Sequence, residues 1–130
     1  MTKQELKEKL CALCMYAPYG LKVKHDLQEF PCELQSVDVY RGSVECLPVG
    51  EKAFLGTQNF YVEFVKPVLR PMESMTLNER RQHRYLPHYD EMSICGSTPA
   101  FKRISWLCEH KFDFLNLIPR GLAVDEKEIF

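Results

Sequence analysis

The chain has 130 residues, 45% apolar and 27% charged, with 17 basic against 18 acidic side chains and a formal net charge of -1. A length near the modal domain size allows a hydrophobic core without disulfide staples, and this composition excludes an intrinsically disordered chain. The first 66 residues carry 8 basic and 9 acidic groups and the remainder 9 and 9, so no basic half or charged tail is present to drive nonspecific nucleic-acid binding.

The opening MTKQELKEKL lacks the apolar stretch of a signal peptide, and no 18-residue apolar run offers a membrane span. A cytoplasmic location without membrane association is expected. In that compartment the six cysteines, at 11, 14, 32, 46, 95 and 108, are expected to be reduced thiols.

Thr2 followed by Glu5 has capping-box spacing and predicts a helix, with Leu6, Leu10, Leu13, Cys14 and Ala17 at helical spacing and Lys3, Lys7, Glu8 and Lys9 largely outside that stripe. Pro18 and Gly20 end it. Leu21 and Val23 alternate with Lys22 and Lys24, and Val37 and Val39 with Asp38 and Tyr40, the pattern of half-buried strands. Arg41-Gly42 offers a tight turn into a strand over Ser43–Leu47. A loop over Pro48–Asn59 leads to a fourth strand with Phe60, Val62 and Phe64 on one side.

Pro67 and Pro71 are expected to break the chain after that strand. Ser74 or Thr76 caps a short helix starting near Leu77, Pro87 ends it, and Tyr85–Gly96 reads as irregular and polar. Thr98 and Pro99 open a last helix running to about Lys111. Pro119-Arg120-Gly121 reads as a turn, Leu122 and Val124 as a short closing strand, and the acidic end as a solvated tail. No repeat, low-complexity tract or linker divides the chain, so residues 1–130 are read as one domain. The expected class is α+β, a short antiparallel sheet packed against the N-terminal and C-terminal helices.

Chemistry is sparse. Cys11-x-x-Cys14 resembles half of a zinc site, but no second ligand pair completes it, and both cysteines are expected to pack in the core as small hydrophobes. Cys95, Cys108 and His110, with His83 or His88, form the other candidate ligand set. Cys108 and His110 would point about 200° apart on a helix, which argues against one shared ion. No GxSxG, HExxH, GxGxxG or phosphate-cradling loop is present. No enzyme, metal or cofactor is expected, and a small enzyme or metal protein built on Cys and His is kept as an alternative.

Two surfaces remain. On the last helix Phe101, Ile104, Leu107, Cys108 and Phe112 share a core arc, whereas Trp106, the single tryptophan, falls about 200° from Ile104 beside Lys102, Arg103 and His110. Trp106 either packs beneath a loop or the C-terminal tail, or anchors a partner-binding face of Lys102, Arg103, Trp106 and His110. The second surface is Arg80, Arg81, Arg84, Tyr85, His88 and Tyr89. It reads as a solvated face or as a site for single-stranded nucleic acid, whose phosphates need cations and whose bases stack on aromatics. Arg70 can cap a turn or pair with Asp113 or Glu73.

Three blocks, Leu10–Lys24, Val65–Thr76 and Cys108–Asp125, together resemble short uncharacterised proteins encoded in prophages and mobile elements of gut anaerobic bacteria. The matching residues are Pro18, Tyr19, Gly20 and Leu21; Lys66, Pro67, Leu69, Arg70 and Pro71; and His110, Phe112, Asp113, Leu117, Ile118, Gly121, Leu122 and Ala123. The resemblance implies a small accessory protein of a phage or mobile element. The expected function is non-enzymatic binding of a host macromolecule, a host protein first, with inhibition of a host defence system as one form; nucleic-acid binding through Arg80–Tyr89 is the alternative.

Overall fold

The computed structural model describes residues 2–28, 30–85 and 99–129. Helix α1 (Lys3–Tyr16) begins where the sequence predicts. The Thr2 hydroxyl accepts from the Glu5 N–H and the Glu5 carboxylate accepts from the Thr2 N–H, both at 3.1 Å, which satisfies two donors that a helix start leaves open. A single 3₁₀ turn over Ala17–Tyr19 follows, and Gly20, at φ 74°, takes the left-handed conformation that ends it.

The strands are β1 (Lys22–His25), β2 (Cys32–Asp38), β3 (Ser43–Pro48), β4 (Gln58–Tyr61), β5 (Val65–Leu69) and β6 (Val124–Asp125). They form one sheet in the order β4-β3-β2-β1-β5-β6. The first four strands are an antiparallel meander, β5 returns beside β1, and β6 adds a parallel edge to β5. The fold is therefore α+β, with six strands where the sequence suggests four plus a closing segment. Inward residues alternate along β3, where Val44, Cys46 and Pro48 are buried and Ser43, Glu45 and Leu47 are not.

The remaining elements are α2 (Leu77–Tyr85), α3 (Pro99–Glu109) and the single turn α4 (Glu126–Ile129). One apolar cluster joins Ala12, Leu13 and Tyr16 of α1 to Val23, Leu34, Val44, Val65 and Leu69 of the sheet. Cys108 of α3 and Leu117, Leu122 and Ala123 of the closing loop complete it. Most of the apolar density after α3 is thereby used in the core.

Several expectations need correction. Val39 and Tyr40 do not extend a strand; β2 ends at Asp38, whose carboxylate accepts from the Arg41 N–H at 3.0 Å, and both residues are exposed in the turn. Val62 and Phe64 lie on a 3₁₀ turn between β4 and β5. Pro67 does not break the chain but sits buried inside β5 opposite Val23, while the parallel pairing with β6 begins one residue later at Val68. A residue without an N–H is tolerated where the ladder does not draw on that donor.

The stripe of α1 is also rotated from the predicted one. Lys9, Ala12, Leu13 and Tyr16 are buried, whereas Cys14, expected in the core, is exposed, as is Cys11. Lys9 is fully buried because its ammonium donates to the carbonyls of Val65 at 2.8 Å and Glu63 at 3.3 Å, at the start of β5. Its long stem occupies the core arc and its head satisfies two backbone acceptors.

Candidate functional site

The sequence's two candidate surfaces lie on α2 and α3, and the end of β5 explains how these helices are held. Arg70 follows β5 and bridges to Phe112: its N–H donates to the Lys111 carbonyl and its own carbonyl accepts from the Asp113 N–H, both at 2.8 Å. The chain can make this bridge because α3 stops sharply. The Phe112 N–H donates to the Leu107 carbonyl at 2.9 Å and the Lys111 N–H to the Cys108 carbonyl at 3.1 Å, with Lys111 left-handed at φ 60°. This is a Schellman ending with lysine where glycine is usual. The helix therefore ends at Glu109, two residues short of the predicted boundary.

The Arg70 guanidinium lies over the buried Phe112 ring at 4.3 Å and forms a two-pronged pair with Glu79 at 2.7 and 2.8 Å; Glu126 stands 3.9 Å away. Arg70 thus pairs with neither Asp113 nor Glu73. Asp113 instead accepts from the Leu117 and Ile118 N–H groups at 2.8 and 2.9 Å and holds the loop after α3. The Arg70 guanidinium holds the Glu79 carboxyl far down, to about 2, with burial opposing it and the Thr76 contacts assisting. Glu79 also closes a second capping box: its carboxylate accepts from the Thr76 N–H at 2.9 Å and its N–H donates to the Thr76 hydroxyl at 3.2 Å. Of the two predicted caps for α2, Thr76 is the one used.

One turn further along α2, His83 meets α3. Its ring lies 5.5 Å from the Trp106 ring, and Arg103 approaches its Nε2 at 3.5 Å. A guanidinium only donates, so Nε2 is the acceptor in this contact. Burial, then the Arg103 charge, lower the His83 pKa. On the other side Trp106 stacks on His110 at 4.3 Å and on Phe112 at 5.7 Å, and His110 Nδ1 lies 3.0 Å from the Trp106 carbonyl.

These contacts revise the predicted outer face. Trp106 and His110 are half-buried in an aromatic column between α2 and Phe112, and Arg103 is half-buried beside His83; Lys102 stays exposed. Ile104, placed in the core arc by periodicity, is 38% exposed, while Leu107, Cys108 and Phe112 are buried as expected. The arc is displaced because α2 covers the side that reads as outer. On α2, Arg80, Arg81 and Arg84 are exposed. His88, Tyr89 and Cys95 lie outside the described residues, as do the side chains of Tyr85 and Phe101.

Beside the column, a cleft of about 320 Å³ is lined by Lys22, Arg70, His110 and Lys111 but also by Glu109 and Glu126, so it has no single sign of charge. Cys108 is buried and burial raises its thiol to about 11, while His110 is engaged with Trp106. Among the described residues no group of three or more His, Cys, Asp or Glu side chains could hold a metal ion. Among them, too, no helix is long and apolar enough to cross a membrane.

Sequence reasoning missed the roles of Lys9, which it placed outside the core stripe, of Glu79, and of His83, which it offered only as a metal ligand. Lys9 had a signal, since it stands at i relative to Ala12, Leu13 and Tyr16 at i+3, i+4 and i+7. The roles of Glu79 and His83 depend on contacts with Arg70 and α3 that no local pattern encodes. Comparison with protein-family models, curated proteins and solved structures gives no match for this chain.

Proposed function

We propose that the protein is a non-enzymatic binding module that attaches to an acidic surface of another protein through the exposed cations of α2 and α3. The observation that carries this reading is the contact of His83 with Trp106 and Arg103, which puts the two cationic stretches on adjoining helices. Arg80, Arg81, Arg84 and Lys102 are exposed there. Glu79, the acid on α2, is already neutralised by Arg70. A binding role also agrees with how the polar groups are used, since Arg70, Glu79, Asp113 and His110 each hold a structural contact. In the setting that the resemblance implies, the partner is a host protein, and blocking a host defence system is one form such binding takes.

Nucleic acid is the second reading, favoured by the three exposed arginines of α2. It is the weaker one because Trp106 already stacks against His110 and Phe112 with His83 beside it, so it offers bases no open platform. Capture from a lysate of a gut anaerobe, with and without nuclease, separates the two. A protein partner that survives nuclease is the expected result; recovery of nucleic acid alone contradicts the reading.

A further inference from the structure

Cysteine is among the residues most often buried, and Cys32, Cys46 and Cys108 follow that rule. Cys11 and Cys14 do not. Both are free and exposed on α1, three residues apart, so their side chains occupy neighbouring rungs of one helix face. Partial burial, then Cys11, raise the Cys14 thiol above its usual range. Met15, one helical turn beyond Cys11, lines the same surface groove as Cys11, whereas Cys14 lies outside that groove. The nearest carboxylate along that row, Glu8, is engaged by Arg120.

We infer that Cys11 and Cys14 form a binding site for a soft monovalent d¹⁰ metal ion, copper(I), on the exposed face of α1. The ligand count selects the metal. Zinc takes four ligands in a closed site, and no cluster of three or more ligating side chains exists among the described residues. Copper(I) favours thiolate and thioether sulfur and is satisfied by two thiolates. Binding exchanges two thiol protons for one ion, two RSH plus Cu⁺ giving a bis-thiolate cuprate of charge -1 and two H⁺. No electron is transferred, and the affinity falls on acidification.

The test uses the full chain, reduced and handled without oxygen, titrated with copper(I) against a chromogenic copper(I) chelator. One ion per chain is expected to be retained, in a monomer-sized species. Cys11→Ser and Cys14→Ser are each expected to weaken it by more than about 100-fold, beyond what loss of an outer-shell partner causes. Both positions are exposed, so circular dichroism should report an unchanged fold. The assignment is overturned if the wild type surrenders all copper to the chelator. Retention by the double variant also overturns it, because the ion then sits on other thiols, and so does an ion shared between two chains.

Discussion

Of the three left-handed residues after α3, Lys111, Asn116 and Gly121, the first and last show what a side chain costs there. Gly121 closes its turn at φ 74°, where a residue without a Cβ meets no penalty; Lys111 closes the end of α3 at φ 60° with a side chain in place. Lys111→Gly is therefore expected to raise stability by about 1 kcal/mol, measured by denaturant unfolding. An unchanged or lower midpoint would mean that the contact of the Lys111 ammonium with the Glu109 carbonyl at 2.9 Å outweighs the backbone strain. The same position shows why the sequence extends the helix too far: without a glycine, nothing local announces the stop.

Lys9 supplies a pH prediction. Burial lowers its pKa from 10.5 to about 8, so between those values the unfolded chain holds a proton that the folded chain has released. Stability then rises with pH across that window, and the burden of burying the charge is complete only below about 8. The difference in unfolding free energy between wild type and Lys9→Met should shift in favour of the wild type from pH 8 to 10.5. A flat difference would show that Lys9 keeps its charge. Tyr16 is simpler: its hydroxyl donates to the Phe112 carbonyl in the core, and Tyr16→Phe strands that acceptor, at an expected loss of about 1–3 kcal/mol.

At the scale of elements, α2 is the unusual one. Leu77 is exposed, and the helix is tied down by Glu79 on Arg70 and His83 on Trp106 rather than by an apolar stripe. The Glu79 carboxyl is depressed to about 2, so its contribution is present above its ordinary value of 4.5 and is lost as pH falls from 4.5 toward 2. Glu79→Gln should destabilise the protein at neutral pH and change the emission of Trp106 as His83 withdraws. The two proteins should converge in stability only as pH falls through about 2. Unchanged tryptophan emission would show that α2 stays docked without the ion pair.

The capping box of Thr2 with Glu5 was legible in the sequence because all its chemistry lies within four residues; of the second box only Thr76 was read, as one of two caps, and not the return contact of Glu79. Also legible were the stop at Gly20 and the strand after Arg41-Gly42 that became β3. The docking of α2 was not, because Glu79 and His83 look like ordinary polar residues of a solvated helix until Arg70 and Trp106 are placed beside them. Pro67 misled for the related reason that its tolerance depends on which neighbour needs a donor.

Across the whole molecule, near-neutral net charge coexists with uneven placement. Arg80, Arg81, Arg84 and Lys102 stand exposed on adjoining helices, while α4 and its flanks carry the acids Asp125, Glu126 and Glu128. Trp106 acts here chiefly as a joint. Trp106→Ala is expected to lower stability by about 2–3 kcal/mol, because it removes a half-buried ring stacked on His110 and Phe112 and touching His83 of α2; full stability with lost partner binding would instead make it a contact residue. The candidate face was thus half legible: its cations could be read from the chain, but its unity depends on α2 packing against α3.

The most direct test of that face is charge reversal at its exposed positions. Arg80→Glu, Arg84→Glu and Lys102→Glu, combined in the full chain, should leave the unfolding midpoint nearly unchanged. The same variant should abolish recovery of the nuclease-resistant partner captured by the wild type. Undiminished capture by the folded variant would show that the cations of α2 and α3 do not hold the partner.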